Sequence, residues 1–313
     1  MAVLVTGGLG HIGSWVCHEL IKKGHKVIVT GRSRRSVSYL KGMEDHIKYV
    51  PADVIDQASL YRLFVEQKGA IEGVVHIAGL MGGPLFATNP RHHIYTNTMG
   101  TVDMLEACQI FGVRRFVYIS SGAVYGVRDN IPREDEPLTP GDLYGAAKAS
   151  AEFFGLQYAN EFGLDFRALR VYFAYGPGRF PSELYPLYRA LFGCLEGNTN
   201  ISLAAGADQS VDFTYLKDIA RAVCLVYEAP SLKHRQYNVC SGVCYTIPEL
   251  IRKVSEIAGV TVELSVGPGR IMPRGPSLDS SRLREELGFT PEYDIEKGVQ
   301  EYVEWIKAQS ANA

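Results

Sequence analysis

Ala2-Val3-Leu4-Val5-Thr6, running directly into Gly7-Gly8-Leu9-Gly10-His11-Ile12-Gly13, is the stretch on which the fold turns. Its first five residues are apolar and rich in β-branched side chains, the composition of a parallel strand buried on both faces. A glycine turn follows, and residues 14–24 have a helical pattern ended by glycine. Lys26–Thr30 reads as a second strand, so residues 2–30 form one βαβ unit. In that setting the turn lets the backbone approach a pyrophosphate. The helix N-terminus at His11 and Ile12 adds oriented N–H groups and positive potential. Gly7, Gly10, His11, Ile12 and Gly13 are therefore candidate dinucleotide contacts, spaced G-x-x-G-x-x-G.

The same alternation continues outward. Residues 47–50, 74–77, 116–120 and 165–172 read as strands, with helices over 59–67 and 90–111 and another carrying Tyr144. Strands alternating with helices predict an α/β protein with a Rossmann-type, doubly wound parallel sheet. Past residue 172 the rhythm breaks in the loop chemistry of Tyr175-Gly176-Pro177-Gly178-Arg179-Phe180-Pro181. The expected organisation is a dinucleotide-binding domain over 1–172 and a smaller C-terminal substrate-binding lobe over 173–313. Residues 213–240 are expected to pack back onto the sheet.

Bulk properties exclude several classes. The 313 residues carry 32 Lys+Arg against 34 Asp+Glu, a net charge of −2 that gives no electrostatic footprint for nucleic acid or an anionic membrane. No apolar run is long enough to span a bilayer. Cys17, Cys108, Cys194, Cys224, Cys240 and Cys244 are scattered without a C-x-x-C pair, so no metal site is expected. They read as reduced, mostly buried thiols of a cytoplasmic protein. His76, His92 and His93 lack the carboxylate or Cys company a metal would need.

Tyr144-Gly145-Ala146-Ala147-Lys148 supplies the chemistry. At i and i+4 of a helix, Tyr144 and Lys148 lie on one face. A fixed ammonium favours the phenolate of a Tyr whose ordinary pKa is about 10. Such a Tyr can take or return the proton of a substrate hydroxyl while hydride leaves the same carbon. Ser121 follows the strand 116–120 at its carboxyl end, where ligands bind in such sheets. Ser121, Tyr144 and Lys148 are the candidate catalytic residues.

Read together, Thr6 to Gly13, Asp53-Val54, His76-Ile77-Ala78-Gly79, Asn97 before Gly100-Thr101, Ser120-Ser121 with Val124-Tyr125-Gly126, Tyr144/Lys148, Arg170 through Tyr175-Gly176-Pro177, and Asp212-Phe213-Thr214-Tyr215 with Asp218 cover most of the chain. In this order they resemble the extended branch of the short-chain dehydrogenase/reductase superfamily, the sugar epimerases and dehydratases. The resemblance implies that Tyr144 is the general acid/base and that Ser121 hydrogen-bonds the substrate oxygen. Lys148 would hold the nicotinamide ribose and depress the Tyr144 pKa. Asp53 and Val54 would border the adenine, Ala78 the middle of the dinucleotide, and Asn97 would join the cofactor set. It also implies a homodimer through the helix 90–111 and the helix of Tyr144, with Phe153, Phe154 and Leu156 available to that face.

Departures from the family pattern narrow the expectation. NAD-specific members carry an acid where this chain has Gly31, followed by Arg32-Ser33-Arg34-Arg35, so NADP is favoured over NAD, with Arg32 as a contact. Dehydratases place Asp-Glu after the Ser/Thr, and decarboxylating members a Glu, where this chain has Gly122-Ala123. Those reactions are therefore disfavoured. Nucleotide-sugar enzymes place an Asn at Phe173 and an Arg at Val211, so two expected diphosphate anchors are apolar here. Gly122, Phe173, Arg179 and Arg274, with Ser121, are the substrate-side candidates. Two enzyme readings stay open: epimerisation of a sugar or nucleotide sugar through a keto intermediate, and an NADP-dependent dehydrogenase or reductase of a non-nucleotide sugar, sugar acid or small hydroxy-carbonyl compound. A non-catalytic NADP-sensing regulator is the reading from another class.

Overall fold

The computed structural model describes residues 1–32, 37, 40–81, 88–184 and 186–310. The chain begins β1 (Ala2–Thr6), α1 (His11–Lys22), β2 (Lys26–Thr30), β3 (Ile47–Tyr49), α2 (Gln57–Glu66) and β4 (Ile71–His76). Next come α3 (Pro90–Ile94), a π-helical turn (Tyr95–Met99), α4 (Gly100–Phe111), β5 (Arg115–Ser121), α5 (Leu143–Phe162) and β6 (Asp165–Val171). The remainder is β7 (Ala174–Tyr175), α6 (Pro186–Phe192), β8 (Asn200–Leu203), β9 (Ser210–Asp212), β10 (Thr214–Tyr215), α7 (Leu216–Glu228) and β11 (Gln236–Val239). It ends with β12 (Cys244–Thr246), α8 (Ile247–Ala258), β13 (Glu263–Val266), α9 (Ser281–Leu287) and α10 (Ile295–Ser310).

Seven strands form one sheet in the order β11-β6-β5-β4-β1-β2-β3. Every adjacent pair in it is parallel. This is the doubly wound, Rossmann-type α/β sheet, and the order reverses between β1 and β4, where such sheets open a crevice for ligands. Strand alternation feeds two cores. Val3 and Val5 of β1 pack with α1 and α7, while Ala2 and Leu4 pack with α2, α4 and α5. Both faces are covered, which is why the strand residues are uniformly apolar.

A third core, built on Tyr175, Leu191, Phe192, Phe213, Leu250, Val254 and Tyr302, belongs to the later residues. Short pairings hold them: β8 runs parallel with β13, and β9 antiparallel with β12. The helix read over 90–111 is not continuous. One π-helical turn shifts the phase at Tyr95–Met99 and buries Asn97, which no apolar periodicity could announce. Among the described residues no helix is long and apolar enough to cross a membrane.

Candidate active site

Helix α5 starts where Asp142 caps it, its side chain accepting from the Gly145 N–H at 2.7 Å. That cap sets the first inward-facing position at Tyr144, near enough to the Ser121 side chain at the end of β5 for Ser121 to lower its pKa. One turn on, Lys148 is buried and donates from Nζ to the Ile119 carbonyl at 2.9 Å, with its ammonium 4.9 Å from the Tyr118 ring centroid. The three catalytic candidates thus meet at the carboxyl ends of β5 and its neighbours.

Electrostatics there differ from the sequence expectation in one respect. Burial pushes the Tyr144 phenol above its ordinary pKa, opposed by the Ser121 hydroxyl and the Arg274 guanidinium, with Asp142 adding to the rise. Lys148 is not among the groups that shift it. Burial instead lowers Lys148 itself to about 8, with the Glu152 carboxylate opposing. The ammonium is spent on a backbone carbonyl below the tyrosine.

Beneath these groups lies a buried polar network that holds α5 on the sheet. Glu152, one turn beyond Lys148, accepts from Ser120 Oγ and takes a two-pronged bond from Arg170, with Nη2 to Oε2 at 2.8 Å. Arg170 also donates to Tyr125 Oη at 2.6 Å, which donates to Asn238 Oδ1 at 2.9 Å. Each buried charge in this chain has its partners, as burial requires.

The glycine turn forms the cofactor side. Gly7 has φ +65°, a conformation that disfavours side chains, and a Cβ on Gly13 would sit 2.2 Å from the Gly7 carbonyl oxygen. The turn presents bare backbone at the N-terminus of α1, a cradle fitting a pyrophosphate. Gly7 and Gly10, with Gly31, Arg32, Tyr49 and Arg179, line a cleft of about 140 Å³. Ala78 borders Gly7, with its N and Cα 3.1 Å from where a Gly7 Cβ would lie.

Other cofactor candidates have protein partners. His11 Nε2 bonds the Gly176 carbonyl at 2.9 Å, and burial keeps its pKa near 4. Ile12 is half-buried in the first turn of α1. Asp53 Oδ1 accepts from the Ile55 N–H at 3.2 Å in a tight turn, and Val54 is buried against Gly100. The Asn97 amide accepts from the Leu80 N–H and donates to the Leu80 carbonyl, both at 2.9 Å. Arg34 and Arg35 lie outside the described residues. These surroundings fit a nicotinamide dinucleotide: a backbone cradle, a basic cleft beside it, and the Tyr/Lys pair at the other side of the switch point.

Around the substrate-side candidates the packing is aromatic. A Cβ on Gly122 would meet the Tyr172 ring at 2.4 Å, so only glycine fits there. Phe173 stacks on Phe213 with centroids 5.2 Å apart and planes 28° apart. Tyr188, 5.5 Å from Phe213, lies near enough to Tyr144 for ionisation of one to oppose the other. Val211 is fully buried. Arg274 donates to Asp142 at 2.7 Å, whereas Arg179 lies on the cofactor cleft and not with this group. Sequence reasoning missed Tyr188 as a neighbour of Tyr144, because its signal is indistinguishable from ordinary aromatic core. Among the described residues no three His, Cys, Asp or Glu side chains are grouped to hold a metal.

Comparison with known proteins agrees with this layout. Residues 3–240 match the family described as NAD dependent epimerase/dehydratase. The chain is 30% identical to a UDP-glucose 4-epimerase of Mycolicibacterium smegmatis, with 99% of this chain and 100% of that protein covered. It is 26% identical to a dTDP-glucose 4,6-dehydratase of Salmonella typhimurium, covering 99% and 94%. The structure superposes on UDP-glucose 4-epimerase from Thermotoga maritima with UDP-glucose at TM-score 0.87 and 28% identity, covering 99% and 100%. It also superposes on the Thermus thermophilus UDP-glucose 4-epimerase complex with NAD at TM-score 0.85 and 27% identity, covering 98% and 99%.

Proposed function

This chain belongs to the NAD dependent epimerase/dehydratase family, and from that premise we propose that it moves hydride at a secondary hydroxyl of a sugar or nucleotide sugar, epimerising it through a keto intermediate. The observation that carries the reading is the meeting of Ser121, at the carboxyl end of β5, with Tyr144, one helical turn from Lys148. Tyr144 takes the hydroxyl proton, and Ser121 donates to the substrate oxygen as charge develops on it. Lys148 supplies a fixed cation whose carbonyl bond to Ile119 sets its height above β5. Nicotinamide, when bound, supplies the hydride acceptor and, oxidised, a positive charge. Gly7, Gly10 and Gly13 would hold its pyrophosphate, with Ala78 alongside and Asp53 and Val54 at the adenine end.

The second reading is an NADP-dependent dehydrogenase or reductase on a substrate without a nucleotide. What favours it is the pair Phe173/Phe213 and the buried Val211 where anchors for a diphosphate are expected, with Arg274 already paired to Asp142. The regulator reading has no observation in its favour, since the Ser/Tyr/Lys set is complete.

Nicotinamide dinucleotide is the cofactor of the family. Preference for NADP rests on Gly31, where a carboxylate is missing, and on Arg32 in the cleft. A reducing, cytoplasmic setting is supported by six free thiols, five of them buried. A homodimer through α3–α4 and α5 is supported by exposed Tyr95, Met99, Phe153 and Phe154 on neighbouring helices, although Leu156 packs inward. Sedimentation showing a monomer at micromolar concentration removes the dimer.

The deciding experiment is to denature the freshly purified protein and identify any nicotinamide released. Near-stoichiometric NAD(H) supports a cofactor-recycling epimerase. An empty protein that then binds NADP(H) far better than NAD(H) supports the second reading and directs a 340 nm screen to free sugars and hydroxy-ketones.

A further inference from the structure

Arg179, in the segment that follows β7, lines the cleft beside the glycine turn. We propose that Arg179 and Arg32 form a two-arginine clamp on a phosphate group of the dinucleotide, closing the cleft above the glycine turn. This rests on the nicotinamide reading above and adds a residue to it from the later part of the chain.

Three observations carry the inference. Both guanidinium-bearing residues line the same cleft of about 140 Å³, with Gly7, Gly10 and Gly31 between them and no carboxylate in its lining. The backbone delivering Arg179 is pinned on both sides. His11 Nε2 bonds the Gly176 carbonyl at 2.9 Å and Trp15 Nε1 donates to the Pro177 carbonyl at 2.8 Å, while Tyr302 Oη donates to the Arg179 carbonyl at 2.6 Å. Third, among the described residues neither Arg179 nor Arg32 has a side-chain hydrogen bond or ion pair, although the molecule pairs Arg115, Arg167, Arg170, Arg221 and Arg274 with carboxylates. Two cations on one cleft repel one another until an anion joins them, so the pair favours a bound phosphate. That phosphate is either the pyrophosphate over the glycine turn or a 2′-phosphate on the adenosine ribose at the end of β2.

Fluorescence titration of NADPH and NADH, without any sugar, tests the clamp in wild type, Arg179→Gln, Arg32→Gln and the double variant. Expected is a loss of about tenfold or more in affinity for Arg179→Gln, with the double variant losing less than the product of the singles. Loss for NADPH alone assigns the 2′-phosphate. Equal loss for both dinucleotides assigns the pyrophosphate. Unchanged affinity for both in Arg179→Gln, with wild type binding normally, overturns the clamp and leaves the functional reading standing. A wild-type protein that binds neither dinucleotide overturns both. Circular dichroism of each variant confirms that the fold is retained, as expected for side chains with no side-chain partner among the described residues.

Discussion

Arg274 donates from Nη2 to Asp142 Oδ2 at 2.7 Å, tying the segment after β13 to the residue that caps α5. The same guanidinium lowers the pKa of Tyr144, two residues beyond the cap. Arg274→Ala should therefore move the rising limb of the kcat profile to higher pH, with several-fold loss near neutrality that is partly recovered at high pH. Comparing pH profiles of the two proteins checks this. A uniform loss at all pH values would show that Arg274 acts only on helix position.

Lys148 links catalysis to stability. Its folded pKa is near 8, against 10.5 in the unfolded chain. Between these values the unfolded chain holds a proton that the folded one has released, so this group makes stability rise with pH across that window. Below about pH 8 both states are protonated and the burial penalty is present in full. Lys148→Met should lose at least about 100-fold in activity and yet, at pH 7, be as stable as wild type or more so, by up to about 3 kcal/mol. Urea midpoints at pH 7 and 9.5 for both proteins test it, the difference between them shrinking at the higher pH.

Glu152 neutralises Arg170 where both are buried, through the 2.8 Å bond between Nη2 and Oε2. Glu152→Gln should cost about 3–5 kcal/mol, because the guanidinium is left without a counter-charge. Replacing both by apolar residues of similar volume should cost less than the single change. The substitution should also lower Lys148 further, since Glu152 is what opposes its fall. Chemical denaturation of the singles and the double measures the coupling.

Gly31 is open: a Cβ there meets nothing within 4 Å. Gly31→Asp should be tolerated in the fold and place a carboxylate at the end of β2, beside Arg32. The ratio of NADPH to NADH affinity should fall by about tenfold or more through repulsion of a 2′-phosphate. Paired titrations at one ionic strength give the ratio, and an unchanged ratio would remove Gly31 as the selecting position.

Much of the sheet was legible because buried parallel strands leave β-branched runs and the glycine turn leaves its own spacing. Ser121, Tyr144 and Lys148 were legible for a similar reason: two are one turn apart on a helix and the third ends a strand. Partnerships across the chain were not. Nothing near Arg274 in sequence announces Asp142, and nothing in Tyr175 to Pro181 announces that His11 and Trp15 will hold its carbonyls and aim Arg179 at the cofactor side. Tyr188 was hidden differently, since it is spaced like any core residue and only assembly brings it near Tyr144. The partner of Lys148 was hidden too, because burial, absent from a linear sequence, directs its ammonium to Ile119.

Asn97 gives the Leu80 peptide both a donor and an acceptor, the two bonds a neighbouring strand would supply. A side-chain amide is thus a surrogate peptide unit at the place where the chain leaves β4. An adjoining strand would satisfy the same backbone groups but fill the space beside them. The borrowed amide satisfies them from a helix, and the mouth of the crevice stays open to a ligand. Asp in its place would lack the donor, and Leu would lack both partners. The register slip of one π-helical turn is what brings this amide within reach.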